Sequence, residues 1–156
     1  MIDTLGSYKI KGWKKYLAAN LYLKGMASFQ WGVNDCMTLS CDAIKAMTGM
    51  DPMANWLRGR YSNKHEAIAL VRGHFGLSFI DTFEMVFETI GFQQSRKVEM
   101  GDILFVRVEN LDPEAAALFE GVTLATVFND VGHIVCPGRD GLVVLEKYNL
   151  VRGWTL

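Results

Sequence analysis

GDILFVRV, residues 101–108, marks where the chain changes its hydrophobic period. Gly101-Asp102 is turn chemistry, and Ile103 to Val108 is a β-rich run. VTLATVF (122–128), HIVC (133–136) and GLVVLE (141–146) follow at short spacing, separated by the turn sequences NDVG and PGRDG. Short strands joined by such turns make an antiparallel meander. The intervening NLDPEAAALFEG, residues 110–121, reads as a helical turn or a long loop.

Upstream of residue 101 the period is helical. Trp13, Tyr16, Leu17, Leu21 and Leu23 recur among lysines over residues 12–25, and Gly25 ends the pattern. Over residues 35–48, Asp35 is a good N-cap, Leu39, Ala43, Ile44 and Met47 recur at helical spacing, and Gly49 stops the run. Asp51 as a cap and Pro52 at a first helical position predict a short helix in MDPMANWLRGRY, residues 50–61. Two more helices are expected over 63–75 and 79–90, split near Gly76 and closed by Gly91. Helices followed by an antiparallel meander predict one α+β domain over 1–156, with a helical half at about 12–92 and a strand half at about 101–156.

Composition narrows the function classes. Half of the 156 residues are apolar, 21% are charged and the net charge is −1, with no local basic block to suit nucleic acid or an anionic membrane. Apolar stretches are too short and interrupted to span a bilayer, and the N-terminus lacks a signal peptide's apolar core. Synthesis in a cytoplasm without export by the usual route is the expectation. Cys36, Cys41 and Cys136 have no metal-type spacing, and the three histidines are scattered, so neither a metal nor another cofactor is expected.

The stretch with chemical content is FQWGVNDCMTLS, residues 29–40. A thiolate is the nucleophilic form of cysteine, and the unpaired amides at a helix N-terminus favour it. Cys36 follows the cap Asp35 directly and so falls in the first turn. Cys41, inside the helix, lacks that advantage. A cysteine hydrolase also needs a base within hydrogen-bond reach of sulfur and a group to orient that base.

These parts resemble the NlpC-type cysteine peptidases, papain-like cell-wall hydrolases in which Asp-Cys opens a helix and Gly-Asp starts the first strand of a small sheet. Asp35-Cys36 and Gly101-Asp102 match those landmarks. Trp31 to Cys36, Thr48 to Pro52, Arg58 to Tyr61 and the late Trp154 together resemble a branch found in tailed phages, prophages and gene-transfer particles, among genes for the tail tip. The resemblance covers most of the chain from about residue 12. It implies a papain-like NlpC fold and a tail-tip or baseplate component of the virion tail, with other tail-tip or hub proteins and a peptidoglycan peptide as partners. Cys36 would be the nucleophile, and Trp31, Asn34, Asp35 and Thr123 would surround the cleft and oxyanion.

One departure stands out. The family's base histidine belongs on the second strand of the sheet, where this chain has Thr123 and Leu124. Threonine cannot accept a proton near neutral pH. His133 falls roughly where the family places its orienting polar residue. Either His133 reaches Cys36 from a neighbouring strand and acts as base, giving a peptidoglycan endopeptidase, or the domain has lost hydrolysis and serves as a structural or assembly module. An unrelated thiol amidase or acyltransferase is a third class, since fold does not fix function.

Simpler readings stand beside these. His133 is otherwise a turn-proximal residue, and His65 and His74 are solvated. Asp35 is explained by capping alone. Trp31 and Phe29 read as core or cleft-wall aromatics, Arg58 and Arg60 as an ion-paired or solvated turn, and Cys136 as packed. Phe83, Met85, Val86, Phe87 and Ile90 form an apolar helix face, mainly core, and any exposed part would be a partner surface.

Overall fold

A computed structural model describes residues 9–108 and 121–156. All but one residue of the segment expected as a helical turn or loop at 110–121 lies outside them. Among the described residues, four helices precede the main strands: α1 (Trp13–Lys24), α2 (Cys36–Thr48), α3 (Lys64–Phe75) and α4 (Phe79–Thr89). The strands are β1 (Gln93–Gln94), β2 (Ile103–Arg107), β3 (Thr123–Val127), β4 (Ile134–Gly138), β5 (Gly141–Leu145) and β6 (Asn149–Thr155). They form one antiparallel sheet in the order β1-β6-β2-β3-β4-β5. The expected meander is present as β2 to β5, and β6 returns to the far side of β2.

Local signals set most boundaries. Asn63 and Ser78 cap α3 and α4 through side-chain oxygens, and Gly49 and Gly76 end α2 and α3 in the left-handed conformation. The short helix expected after Pro52 does not form. Asn55 has φ 72 and Gly59 has φ 75, so a run of turns replaces it. Trp56 Nε1 donates to the Pro52 carbonyl at 2.7 Å, which holds those turns together.

Three residues, 146–148, carry the chain from edge strand β5 to β6, which lies beyond β4, β3 and β2. Those few residues reach roughly 14 Å, whereas four strand spacings in a flat sheet cover roughly 19 Å. The sheet is therefore strongly curled. Its inner face buries Leu104, Val106, Ala125, Val127 and Ile134, with Tyr148 and Leu150 against them. Its outer face carries the helices, so β2 and β3 are buried on both sides.

α2 is the central helix. Leu39, Ala43 and Met47 meet Leu17 and Leu21 of α1, while Cys36, Met37, Cys41 and Ile44 belong to the larger cluster with α3, α4, Phe105 and Trp154. Phe79 and Trp154 each stack edge-on against Phe105, at 5.1 and 5.3 Å. Between the two apolar zones, the Ser40 and Thr126 hydroxyls hydrogen-bond at 3.1 Å, which fixes how far α2 slides along β3.

The Gly-Asp landmark has a packing reason. Gly101 has φ +91, and a Cβ there would meet the Trp13 ring at 2.8 Å and Met47 Sδ at 3.1 Å. Its N–H and that of Val127 close the start of the sheet, donating to the Val127 and Asp102 carbonyls. No helix among the described residues is long and apolar enough to cross a membrane. None of their His, Cys, Asp and Glu side chains form a group of three that could hold a metal ion.

Candidate functional site

Asp35 is the organising residue around Cys36. Extended at φ −121, it caps α2: its Oδ1 accepts from the Met37 and Thr38 amides, both at 2.9 Å, and Thr38 Oγ1 accepts from the Asp35 amide at 2.7 Å. Oδ2 accepts from the Gly32 amide at 2.8 Å and from the Tyr61 hydroxyl at 2.7 Å. Both carboxylate oxygens are thus occupied by donors inside the protein, and Asp35 has no exposed surface.

Gly32 explains why that loop can approach. At φ +82, a Cβ on it would lie 2.3 Å from the Tyr61 carbonyl oxygen. Gly32→Ala is expected to cost about 3 kcal/mol or more, combining the left-handed penalty with overpacking against backbone. Urea unfolding measures it; a loss below about 1 kcal/mol would mean that the two segments are not in close contact.

The remaining motif residues form a second network. Arg58 Nε reaches Asp51 Oδ2 at 2.6 Å, its Nη2 reaches Asp42 Oδ1 at 2.7 Å, and Asp42 Oδ2 takes Lys24 Nζ at 2.7 Å. Burial opposes ionisation of Asp51, but hydrogen bonds from Arg58 and the Met53 amide outweigh it, so its pKa lies below the usual value. Thr48 Oγ1 accepts from the Met50 amide at 3.0 Å and donates to the Ile44 carbonyl at 2.7 Å. The three motifs that are separate in sequence therefore line α2 with polar contacts from its cap Asp35 to Thr48 and Asp51 at its C-terminal end.

Cys36 is the first residue of α2 and is 0% exposed. Burial, then the negative charge of Asp35, pushes its thiol up to about 12; hydrogen bonds from the Leu124 amide and the Thr123 hydroxyl act the other way and do not prevail. Burial likewise raises Cys41, and it pushes Cys136 up to about 12. None of the three is in a disulfide. The helix N-terminus and two donors do favour an anion at Cys36, but desolvation and Asp35 outweigh them.

Each raised thiol binds a proton more tightly in the folded chain than in the unfolded one. For Cys36 and Cys136 that stabilising contribution is complete below the unfolded value near 9 and is lost as pH climbs towards 12. Unfolding free energy should fall above pH 9 by roughly 1.4 kcal/mol per pH unit for each such thiol. Cys36→Ala should flatten that slope by about one proton. Equal slopes for both proteins would contradict the buried thiol.

The strand register separates the proposed pair. Thr126 pairs with Val135 and Val127 with Ile134, and the Phe128 amide donates to the His133 carbonyl at 3.1 Å. His133 therefore stands opposite Phe128, five residues along β3 from Thr123, or roughly 17 Å. The expectation that a neighbouring strand would bring His133 to Cys36 is corrected: the strand is adjacent, but the residue lies at its other end. There the Asn129 side chain holds it, with Oδ1 accepting the His133 amide at 3.0 Å and Nδ2 lying 3.0 Å from Nδ1.

Of the expected cleft residues, Asp35 and Thr123 do meet Cys36. Asn34 instead ties down the loop before α2, donating through Nδ2 to the Ala27 and Ser28 carbonyls at 3.0 and 3.1 Å. Trp31 is half-buried beside Phe29, edge-on at 5.2 Å. His65 and His74 are exposed on α3, and His74 stacks on Trp56 at 4.2 Å. Sequence reasoning did not foresee the bond from Tyr61 to Asp35 or the Leu124 amide aimed at sulfur. The Arg-Gly-Arg-Tyr motif carried the first of these as a signal; the second depends on register.

Fold and site together define a mixed α+β domain built on a central helix that motif residues line and whose N-terminal cysteine is buried. Residues 8–156 match a family model described as a domain of unknown function, DUF6950, and the chain belongs to that family. No curated protein matches the chain, and no solved structure does.

Proposed function

We propose that this protein is a catalytically silent, papain-like NlpC-type module of a phage tail tip or related particle, acting by packing against hub proteins or assisting their assembly. The observation that carries the reading is the state of Cys36: a fully buried thiol raised to about 12, with His133 at the far end of β3. A cysteine peptidase needs a thiolate and a base within hydrogen-bond reach. The residues that resemble the tail-tip branch are here spent on capping, ion pairing and loop closure, which supports a retained scaffold. The resemblance itself supplies the particle and its virion-tail location.

The hydrolase reading, cleavage of peptidoglycan stem peptides, has one feature in its favour. The Leu124 amide and the Thr123 hydroxyl hydrogen-bond to the sulfur. It would need the Asp35–Tyr61 cover to open and a base to come from elsewhere.

Particles lacking the domain should assemble defective tails, whereas particles carrying Cys36→Ala should assemble and infect normally. Purified protein should leave muropeptides uncut. Loss of infectivity from Cys36→Ala in otherwise intact particles, or cleavage that this substitution abolishes, would overturn the proposal.

A further inference from the structure

α1 has two apolar faces. Leu17 and Leu21 are buried against α2. On the opposite side Ala18, Ala19, Tyr22 and Leu23 face solvent, with Met26 just past the helix end. Tyr22 is 85% exposed, Leu23 78% and Met26 89%. Positions 19, 22, 23 and 26 follow the i, i+3, i+4, i+7 spacing of a helix contact face. A helix that is apolar on both sides is ordinarily covered on both sides.

Within the segment that carries this stripe the charge has one sign. Between Asp3 and Asp35 the sequence has five lysines and no acidic residue. Lys24 is paired with Asp42 on the α2 side, and Lys9 lies over the Trp13 ring at 4.1 Å. Glu99 and Asp130 share a hollow with Lys9 and Lys14 and offset that flank. Lys11 and Lys15 are exposed and make no ion pair among the described residues, and Lys15 continues the stripe one turn before Ala19.

From these features we infer that the outer face of α1 is the docking surface for an amphipathic helix of another protein, with an apolar seam flanked by carboxylates. Its apolar side chains seat along Ala19, Tyr22, Leu23 and Met26, and its acidic residues meet Lys11 and Lys15. A second copy of this chain fits less well. Its own α1 has no acidic residue to meet Lys11 and Lys15. The inference rests on the assembly reading for the partner's biological role, and on α1 alone for its chemistry.

The test titrates the nitrogen-15-labelled full chain with a synthetic helical peptide. The peptide carries leucine at i, i+3, i+4 and i+7, flanked by glutamates, and a control has lysine for every glutamate. The glutamate peptide should shift the amide resonances of residues 15–26, and the lysine peptide should not. Leu23→Ser and Lys15→Glu should each weaken binding by roughly tenfold, with circular dichroism unchanged because both side chains are exposed. Several results would overturn the inference: no binding, equal binding of both peptides, or shifts that map elsewhere. Concentration-dependent self-association abolished by Leu23→Ser would assign the face to a second copy instead, and competition by anionic phospholipid vesicles would assign it to a membrane. Failure here leaves the inert thiol untouched, and a reactive Cys36 would leave this face untouched, so the two proposals fail separately.

Discussion

Replacing Asp35 with alanine should lower the unfolding free energy by about 3–5 kcal/mol, combining a lost N-cap with orphaned buried donors. The cap accounts for about 1 kcal/mol of it. The remainder comes from the buried Tyr61 hydroxyl and the half-buried Gly32 amide, which lose their acceptor. Each such group costs on the order of 1–3 kcal/mol, and neighbours do not add simply. Against a typical total of about 5–15 kcal/mol the variant is left marginal. Tyr61→Phe gives the contrast: it removes one donor and leaves the cap, so about 1 kcal/mol is expected. Urea unfolding of both variants separates the accounts. If Asp35 served mainly to tune the thiol, alanine would leave stability within about 0.5 kcal/mol of wild type.

Much of the fold was legible because its signals are local. Asn63, Ser78 and Asp35 cap their helices through their own side chains, and Gly49 and Gly76 stop two of them, so α2, α3 and α4 could be read one at a time. The failure after Pro52 is of another kind. Asn55 turns left-handed in a segment held by Arg58 to Asp42 and Asp51, and a tertiary ion pair overrides a local helix signal. β1 carried no signal either: Gln93 and Gln94 become a strand only by pairing with Thr155 and Trp154.

The site was half legible. Cys36 at the start of a helix follows from Asp35, but depth does not, because it depends on Tyr61, which comes 26 residues after Asp35 and folds back over the cap. The position of His133 failed for a similar reason. Its strand was placed next to β3, but each residue of register moves a side chain by about 3.3 Å along the sheet, and nothing local fixes that offset. The motif residues are scattered in sequence from Trp31 to Tyr61. Their shared purpose, lining α2 with polar contacts, became visible only with the distances.

Cys36 is a buried, neutral thiol. Native protein treated with iodoacetamide at pH 7.4, with labelling followed at each cysteine by peptide mass spectrometry, tests that state directly. A thiol raised from 9 to about 12 holds a thiolate fraction lower by three powers of ten, and only the thiolate reacts. Cys36 should therefore alkylate about a thousandfold more slowly than a model thiol, at a rate that rises when urea unfolds the chain. Labelling of native Cys36 as fast as a model thiol, with an apparent pKa below about 8.5, would contradict the account and restore a nucleophile at the tip of α2.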